Sequence, residues 1–331
     1  MTVMPTRPQP DELRRSFAGE IIEPGSSDYD DARRVWNPVF VRRPALIVRP
    51  TTVKDVIAAV RFGRDRGLEI AVRGGGHSAL GYSTSEGGLV IDLRRMNAVT
   101  IDPERRRART GGGALLGQLD LAAQEHGLVL PVGVVGHTGV AGLTLGGGVG
   151  RLQRRFGLTI DSLRSVELVT ADGRVVTASA DEEPELFWGL RGAGANFGIA
   201  TSLEFELHPF SGTLHRGVHI HPATDIHDLW AVFRDFSANA PDTIAAIFGI
   251  ALAEPRAAYP DVVAGKPIVV ISYNHSGAGE DVERDIAPLL AGPKPASTTA
   301  TQERYLDAQR SSDLSLDWGT RSFILGGYVA D

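Results

Sequence analysis

Apolar and polar positions alternate with two different periods along this chain, and each change of period marks an element. PALIVRP (residues 44–50) is a short apolar run closed by proline and predicts a strand. Thr52 followed by Asp55 has the form of a capping box, and VIAAVRFGRDRG then keeps helical spacing as far as Gly67. LEIAV and GLVIDL read as strands, and AVTIDPERRRARTGG reads as a hairpin around Asp102-Pro103. ALLGQLDLAAQEHG predicts a helix ending at Gly127. In SVELVTADGRVVTA two alternating strands flank Asp172-Gly173, the signature of a type I′ hairpin. PELFWGLRG is a short helix with proline in its first turn, and FGIATSLEFELHPF is a long strand.

The pattern changes near Pro209. LHRGVHIHP, IAAIFGIAL and PIVVISYNHSG alternate as strands, with helical stretches near His227–Ser237 and Glu280–Leu290. Helices mixed with antiparallel hairpins indicate an α+β protein rather than a doubly wound sheet. A length of 331 residues agrees with two such units. No internal repeat occurs.

Composition narrows the function classes. Apolar residues make up 42% and charged residues 22%, as in a globular protein. A net charge of −6 argues against a nucleic-acid or anionic-membrane partner, and the Arg105–Arg107 run reads as a solvated turn. With no cysteine there is no disulfide, thiolate metal site or cysteine nucleophile. The nine histidines show no HExxH or equivalent spacing, so no metal is expected; His219 and His221 share a strand face without a third ligand. MTVMPTRPQPDELRRSF lacks an apolar signal region and no run of 18 apolar residues occurs, so the expected location is cytoplasmic.

The 39 glycines concentrate between Arg73 and Gly198, in three clusters: Gly74–Gly76, Gly111–Gly113, and Gly142 through Gly150. A Rossmann site needs a strand, then GxGxxG opening a helix; Gly111, Gly113 and Gly117 are misspaced, and no helix pattern follows Gly76. A P-loop is absent too. Glycine-freed backbone amides can still cradle a pyrophosphate, with Arg73 adding charge. Spacing alone leaves that cradle and plain tight turns equally open. His77, directly after the first cluster in VRGGGHS, reads by itself as a capping or hydrogen-bonding residue.

Four ordered stretches carry a resemblance: VRGGGHSALGYSTSEGGLVIDLRRMNAVTID, RARTGGGALLGQLDLAAQEHGL, GVAGLTLGGGVGRLQRRFGLTIDSL and ADGRVVTASADEEPELFWGLRGAGANFGIATSLEFEL. Together they resemble the berberine-bridge-enzyme-like oxidases of the vanillyl-alcohol-oxidase type, and especially the bacterial 6-hydroxynicotine oxidases. The resemblance implies an α+β fold with a two-subdomain FAD-binding domain over residues 40–211. An antiparallel-sheet substrate domain over 212–331 would follow, apparently cut short. It implies that FAD is bound by Arg73, Gly74, Gly75, Gly76, His77 and Ser78, with His77 bonded covalently to the flavin 8α-methyl. Further contacts implied are Thr138, Gly139, Gly142, Gly146, Gly147, Gly148 and Gly150, with Asn196, Phe197, Gly198 and Ile199 towards the adenine.

The cysteine that doubles the flavin link in some relatives falls at Val135 here, so a single link is implied. The resemblance implies that Thr138 takes the place of a residue that governs oxygen access, where its compactness would favour an oxidase; a threonine that simply caps the next segment stays equally open. The implied reaction passes substrate hydride to the flavin and electrons to molecular oxygen. The small-molecule substrate and the catalytic base stay open, with Tyr273, Tyr305 and Tyr328 as bare candidates for the base. Because relatives are longer, a second reading is an inactive or incomplete FAD-binding module that needs a further segment or a partner chain.

Overall fold

A computed structural model describes residues 10–210, 212–253, 259–313, 317–319 and 321–323. The capping box at Thr52 forms. The Thr52 hydroxyl accepts the Asp55 N–H at 3.2 Å, and the Asp55 carboxylate accepts the Thr52 N–H at 3.0 Å. This starts the helix Val53–Asp65. That helix packs on the strands Leu46–Arg49 and Leu89–Asp92 through Val56, Ala59 and Val60. The opposite face of the same sheet, with Ile22, Ile47, Ala71 and Val90, is covered by Tyr29 and Ala32. Burial on both faces explains why these strands read as continuous apolar runs.

The sheet order is Glu20–Ile22, Leu46–Arg49, Leu89–Asp92, Ile70–Arg73, antiparallel at the first pair and parallel at the other two. A second sheet is wholly antiparallel: Val99–Asp102, Arg107–Gly111, Ile199–Glu206, Leu163–Val169, Val175–Ser179. The helices Leu116–Gln124, Val140–Leu145 and Pro184–Ala193 share one core with it, centred on Leu119, Val166, Leu190 and Leu203. Among the described residues parallel pairing is thus confined to three short strands, and the α+β reading stands.

The hairpin at Asp172-Gly173 forms, but not as a type I′ turn. Only Gly173 is left-handed, at φ 78°; Asp172 has ordinary negative φ. The Thr170 carbonyl accepts the Gly173 N–H at 2.8 Å, and the Thr170 hydroxyl accepts the Arg174 N–H at 3.3 Å. That side-chain bond closes a longer turn, so a single left-handed residue suffices.

The chain divides into two compact units. One holds the residues up to Val149, Leu158–Phe210 and the described residues from Gln309 onward. The other holds Gly150–Gly157 and the described residues from 212 to Ala308. The second unit is an antiparallel sheet in the order Ile244–Leu252, Pro267–His275, Thr213–Pro222, Ser297–Arg304. The helix Ile226–Asn239 covers one face through Leu229 and Phe236, against Val269, Ile271 and Tyr273. Arg151 ties Gly150–Gly157 to this unit, donating to Asn274 Oδ1 at 3.3 Å and to the Ala308 carbonyl at 3.0 Å. Among the described residues no helix is long and apolar enough to cross a membrane.

Asp55 also accepts the Ala18 N–H at 2.8 Å and both the N–H and hydroxyl of Thr51 at 3.0 Å. Burial alone would raise its pKa, but these bonds outweigh burial and hold it below the ordinary 3.8. The stabilisation is therefore complete above the ordinary carboxylate range and is lost as pH falls through the lower, folded value. Asp55→Ala is expected to cost about 1–3 kcal/mol at neutral pH. Thermal melts across pH check this: the gap between variant and wild type should narrow as pH falls below the ordinary carboxylate range.

Candidate functional site

The strand Ile70–Arg73 runs out into the glycine loop, and the loop lies directly on another stretch of backbone. A Cβ on Gly75 would sit 2.2 Å from the Gly139 nitrogen and 2.9 Å from the Thr138 carbonyl carbon. The stretch around Gly139 is itself laced to the turn after Gly113. Leu116 N–H donates to the Thr138 carbonyl at 2.9 Å, Gly117 N–H to Gly136 at 2.8 Å, and Val140 N–H to Ala114 at 2.8 Å. Gly139 then opens the helix Val140–Leu145.

His77 follows from this close approach. Its ring stacks on Trp36 at 5.2 Å between centroids and 20° between planes, and meets Trp318 edge-on at 6.1 Å. Its Nε2 lies 2.6 Å from Nδ1 of His137. Burial first, and the neighbouring His137 second, push His77 down to about 4. The imidazole is neutral at pH 7 and keeps a free lone pair, the state a nucleophile needs. Nε2 of His137 is buried with no hydrogen-bond partner. Ser78 closes the loop locally, its hydroxyl accepting the Tyr82 N–H at 3.0 Å.

A cavity of about 460 Å³ opens beside the loop, lined by Asp31, Arg34, Arg73, Gly74, Gly75, Arg94, Asn97, Gly113, Leu115, His137 and Trp318. Arg73 is 3% exposed, so it is no surface residue. Its guanidinium donates to the carbonyls of Ala32, at 2.5 Å, and of Arg34. Burial lowers it to about 10, which leaves it charged at neutral pH. Arg94 is held by the buried Asp92 carboxylate at 2.7 Å. Three guanidinium groups against one carboxylate favour an anionic, phosphate-bearing ligand. Among the described residues no group of His, Asp and Glu is placed to hold a metal ion.

Of the residues expected to bind cofactor, Arg73, Gly74 and Gly75 line this cavity, and His77 contacts two of its lining residues, His137 and Trp318. Thr138 and Gly139 form the backing of Gly75, and the Gly76 carbonyl accepts the Trp36 N–H at 3.1 Å. The others lie elsewhere. Gly142 and Gly146 belong to the helix Val140–Leu145 and its C-cap, and Gly147 and Gly148 form the turn after it. Gly150 belongs to the second unit. Phe197 packs near Gly189, Ile199 joins the core under the parallel sheet, and Asn196 and Gly198 flank the start of that strand.

Tyr273 is buried in the second unit beneath the helix Ile226–Asn239, and burial raises its phenol, against a role as base. Tyr305 is buried at the start of the helix Tyr305–Arg310, and Tyr328 lies outside the described residues. Trp36, Arg94, His137 and Trp318 were not legible as site residues. His137 stands between Val135 and Thr138, both singled out by motif, but no spacing rule joins positions 77 and 137. Trp318 arrives from the far end of the chain. Gln309 anchors that return, its amide donating to Asp120 at 3.1 Å and to the Gly133 carbonyl at 2.9 Å. Asp313 accepts the Gly136 N–H at 2.6 Å.

Because backbone, not a movable side chain, faces Gly75, Gly75→Ala is expected to push the two stretches apart. The expected cost is about 1–3 kcal/mol, read as a lower Tm. The control Gly142→Ala meets nothing within 4 Å and should melt at or above the wild-type temperature.

Residues 44–179 match the family model described as an FAD binding domain. The chain is 38% identical to (R)-6-hydroxynicotine oxidase of Paenarthrobacter nicotinovorans over 88% of its own length and 62% of the relative's. It is 37% identical to an FAD-linked oxidoreductase of Dictyostelium discoideum over 97% of this chain and 68% of that one. Among solved structures, Physcomitrella patens BBE-like 1 superposes with a TM-score of 0.79 at 31% identity, covering 88% of this chain and 61% of that one. The chain thus spans about two thirds of the length of these relatives. A glycine loop against a cationic cavity, with these matches over nearly its whole length, places the chain in the family of FAD-linked oxidoreductases of the berberine-bridge-enzyme-like, vanillyl-alcohol-oxidase type.

Proposed function

We propose that this protein is an FAD-dependent oxidase whose cofactor is tethered through His77 and whose electrons go to molecular oxygen. The observation that carries the reading is His77 itself: a neutral imidazole held between Trp36 and His137, one residue beyond a glycine loop that borders a cationic cavity. The residues present fit the group. Arg73 and Arg94 supply charge for the pyrophosphate, and Gly74, Gly75 and Gly113 let it approach the backbone. When bound, FAD supplies hydride acceptance from a small-molecule substrate and onward transfer of two electrons to oxygen.

The remaining work falls to this chain's own side chains. Trp36 and Trp318 confine the His77 ring and keep water from one side of it, which sustains its neutrality. The absence of cysteine, with Val135 at the slot where some relatives carry one, supports a single histidyl link. We assign the expected contacts at Gly76, Ser78, Thr138, Gly139, Gly142, Gly146–Gly148, Gly150 and Asn196–Ile199 to the same cofactor on the strength of the resemblance. On the same basis residues 40–211 are taken as the FAD-binding domain and those from 212 as the substrate domain, with Thr138 governing oxygen access.

The test is to purify the chain, precipitate it in acid and read the visible absorbance of the pellet. Yellow colour is expected to stay with the wild-type polypeptide and to leave the His77→Ala pellet. Colour that washes out of the wild type overturns the tether and leaves an FAD-binding protein. A chain that carries no flavin even when refilled with FAD overturns the cofactor reading.

A further inference from the structure

We propose that the helix-covered face of the second unit is an acid-sensitive latch: His219 and His221 must both be neutral for the helix Ile226–Asn239 to stay packed on its sheet, and charging them releases it. The latch lies wholly within the second unit and acts whether or not a flavin is bound.

Alternation along Thr213–Pro222 puts His215, Gly217, His219 and His221 on one side of the strand. The register sets His219 opposite Ile271 and His221 opposite Val269, two of the residues packed under that helix. The His219 ring stacks on Tyr273, with 5.9 Å between centroids and 19° between planes. Both histidines are only 4% exposed. Nδ1 of His219 shares a hydrogen bond with the Thr298 hydroxyl at 3.1 Å, but its Nε2 is buried without a partner, and so is Nδ1 of His221. A neutral imidazole carries one N–H and one lone pair, whereas a charged one carries two N–H donors. Protonation would thus add a positive charge and leave a buried N–H with no acceptor on each ring. His275, on the same face, shows the contrast. It is fully buried, its Nδ1 accepts the Gly277 N–H at 3.1 Å, and its Nε2 donates to Asp285 at 3.0 Å.

The charged and titratable groups around the pair do little to offset that cost. Their own strand adds His215, which meets His275 edge-on at 6.3 Å. The strand Pro267–His275 adds His275 and Tyr273, whose phenol is raised by burial and stays neutral. The strand Ser297–Arg304 sets Thr298 beside His219 and carries Arg304 at its far end, held by Asp307 at 2.8 Å. Ile244–Leu252 has no charged residue. On the covering helix His227, Asp228, Arg234 and Asp235 are all exposed. Asp225, in the turn before that helix, pulls His221 upward, but by less than burial or His219 pushes it down. Burial therefore holds both histidines below the ordinary 6.5, with His219 adding to it at His221. The released chain takes up protons near pH 6.5 and the packed one only at lower pH. The packing is thus at full strength above that value and weakens as pH falls below it.

Hydrogen exchange read by mass spectrometry, at pH 7.5 and 5.5 and corrected for the intrinsic rates, tests this on the whole chain. We expect the opening constant of peptides spanning Thr213–Pro222 and Ile226–Asn239 to rise in acid by at most about tenfold for each histidine, and to recover when pH is restored. The double variant His219→Phe/His221→Phe keeps two rings without a titrating nitrogen and is expected to hold most of its protection at pH 5.5. Wild type equally protected at both pH values overturns the proposal, and so does a folded double variant as acid-sensitive as wild type. If the double variant does not fold, ring-proton NMR titration of wild type decides, with assignments from His219→Gln and His221→Gln. His219 and His221 gaining protons in step with the loss of protection supports the latch; rings still neutral once protection is lost overturn it.

Discussion

Two lengths of backbone meet at Gly75 and Gly139 with no side chain between them, and the position of His77 depends on that contact. Ordering glycine is entropically expensive. Here the cost is offset by backbone hydrogen bonds joining residues 114–117 to 136–140, which hold the Gly139 stretch in place as a backing. The loop after the strand Ile70–Arg73 lies on this backing instead of floating in solvent. Its next residue is thereby fixed between Trp36 and His137, with Trp318 at its edge.

The electrostatics of the site rest on opposite treatment of neighbouring groups. His77 is buried among rings and held neutral, whereas Arg73, four residues earlier, is buried yet keeps its charge. Backbone carbonyls of Ala32 and Arg34 accept hydrogen bonds from the guanidinium, and Asp92 adds attraction. Asp92 also holds Arg49, at 3.4 Å, and Arg94, so one buried carboxylate arranges the cations of the parallel-sheet end. A neutral imidazole thus stands close to a cavity lined by cations, an environment that suits an anionic ligand.

The second unit shows why residue type alone is a weak guide to a base. Tyr273 sits on the sheet face that the helix Ile226–Asn239 covers, packed with Leu229 and Phe236, and its ring overlies Gly217. His219 stacks on it at 5.9 Å on the same face. Alternation along a strand shows that His219 and His221 share a side. It does not show whether that side meets a helix or a ligand.

Periodicity determined most of the elements, because strands and helices of an amphipathic protein record their buried faces locally. The capping box at Thr52, the run at residues 44–50 and the strands after Pro209 all formed where the pattern put them. The Asp172-Gly173 hairpin was legible as a hairpin but not as a turn type, since a side-chain bond from Thr170 chose the closure. Motif order was enough to point to a flavin fold and to His77. What only the tertiary structure decided is the company His77 keeps. Trp36, His137 and Trp318 come from three distant stretches and are joined by packing, and one-dimensional spacing holds no record of contacts made across such separations.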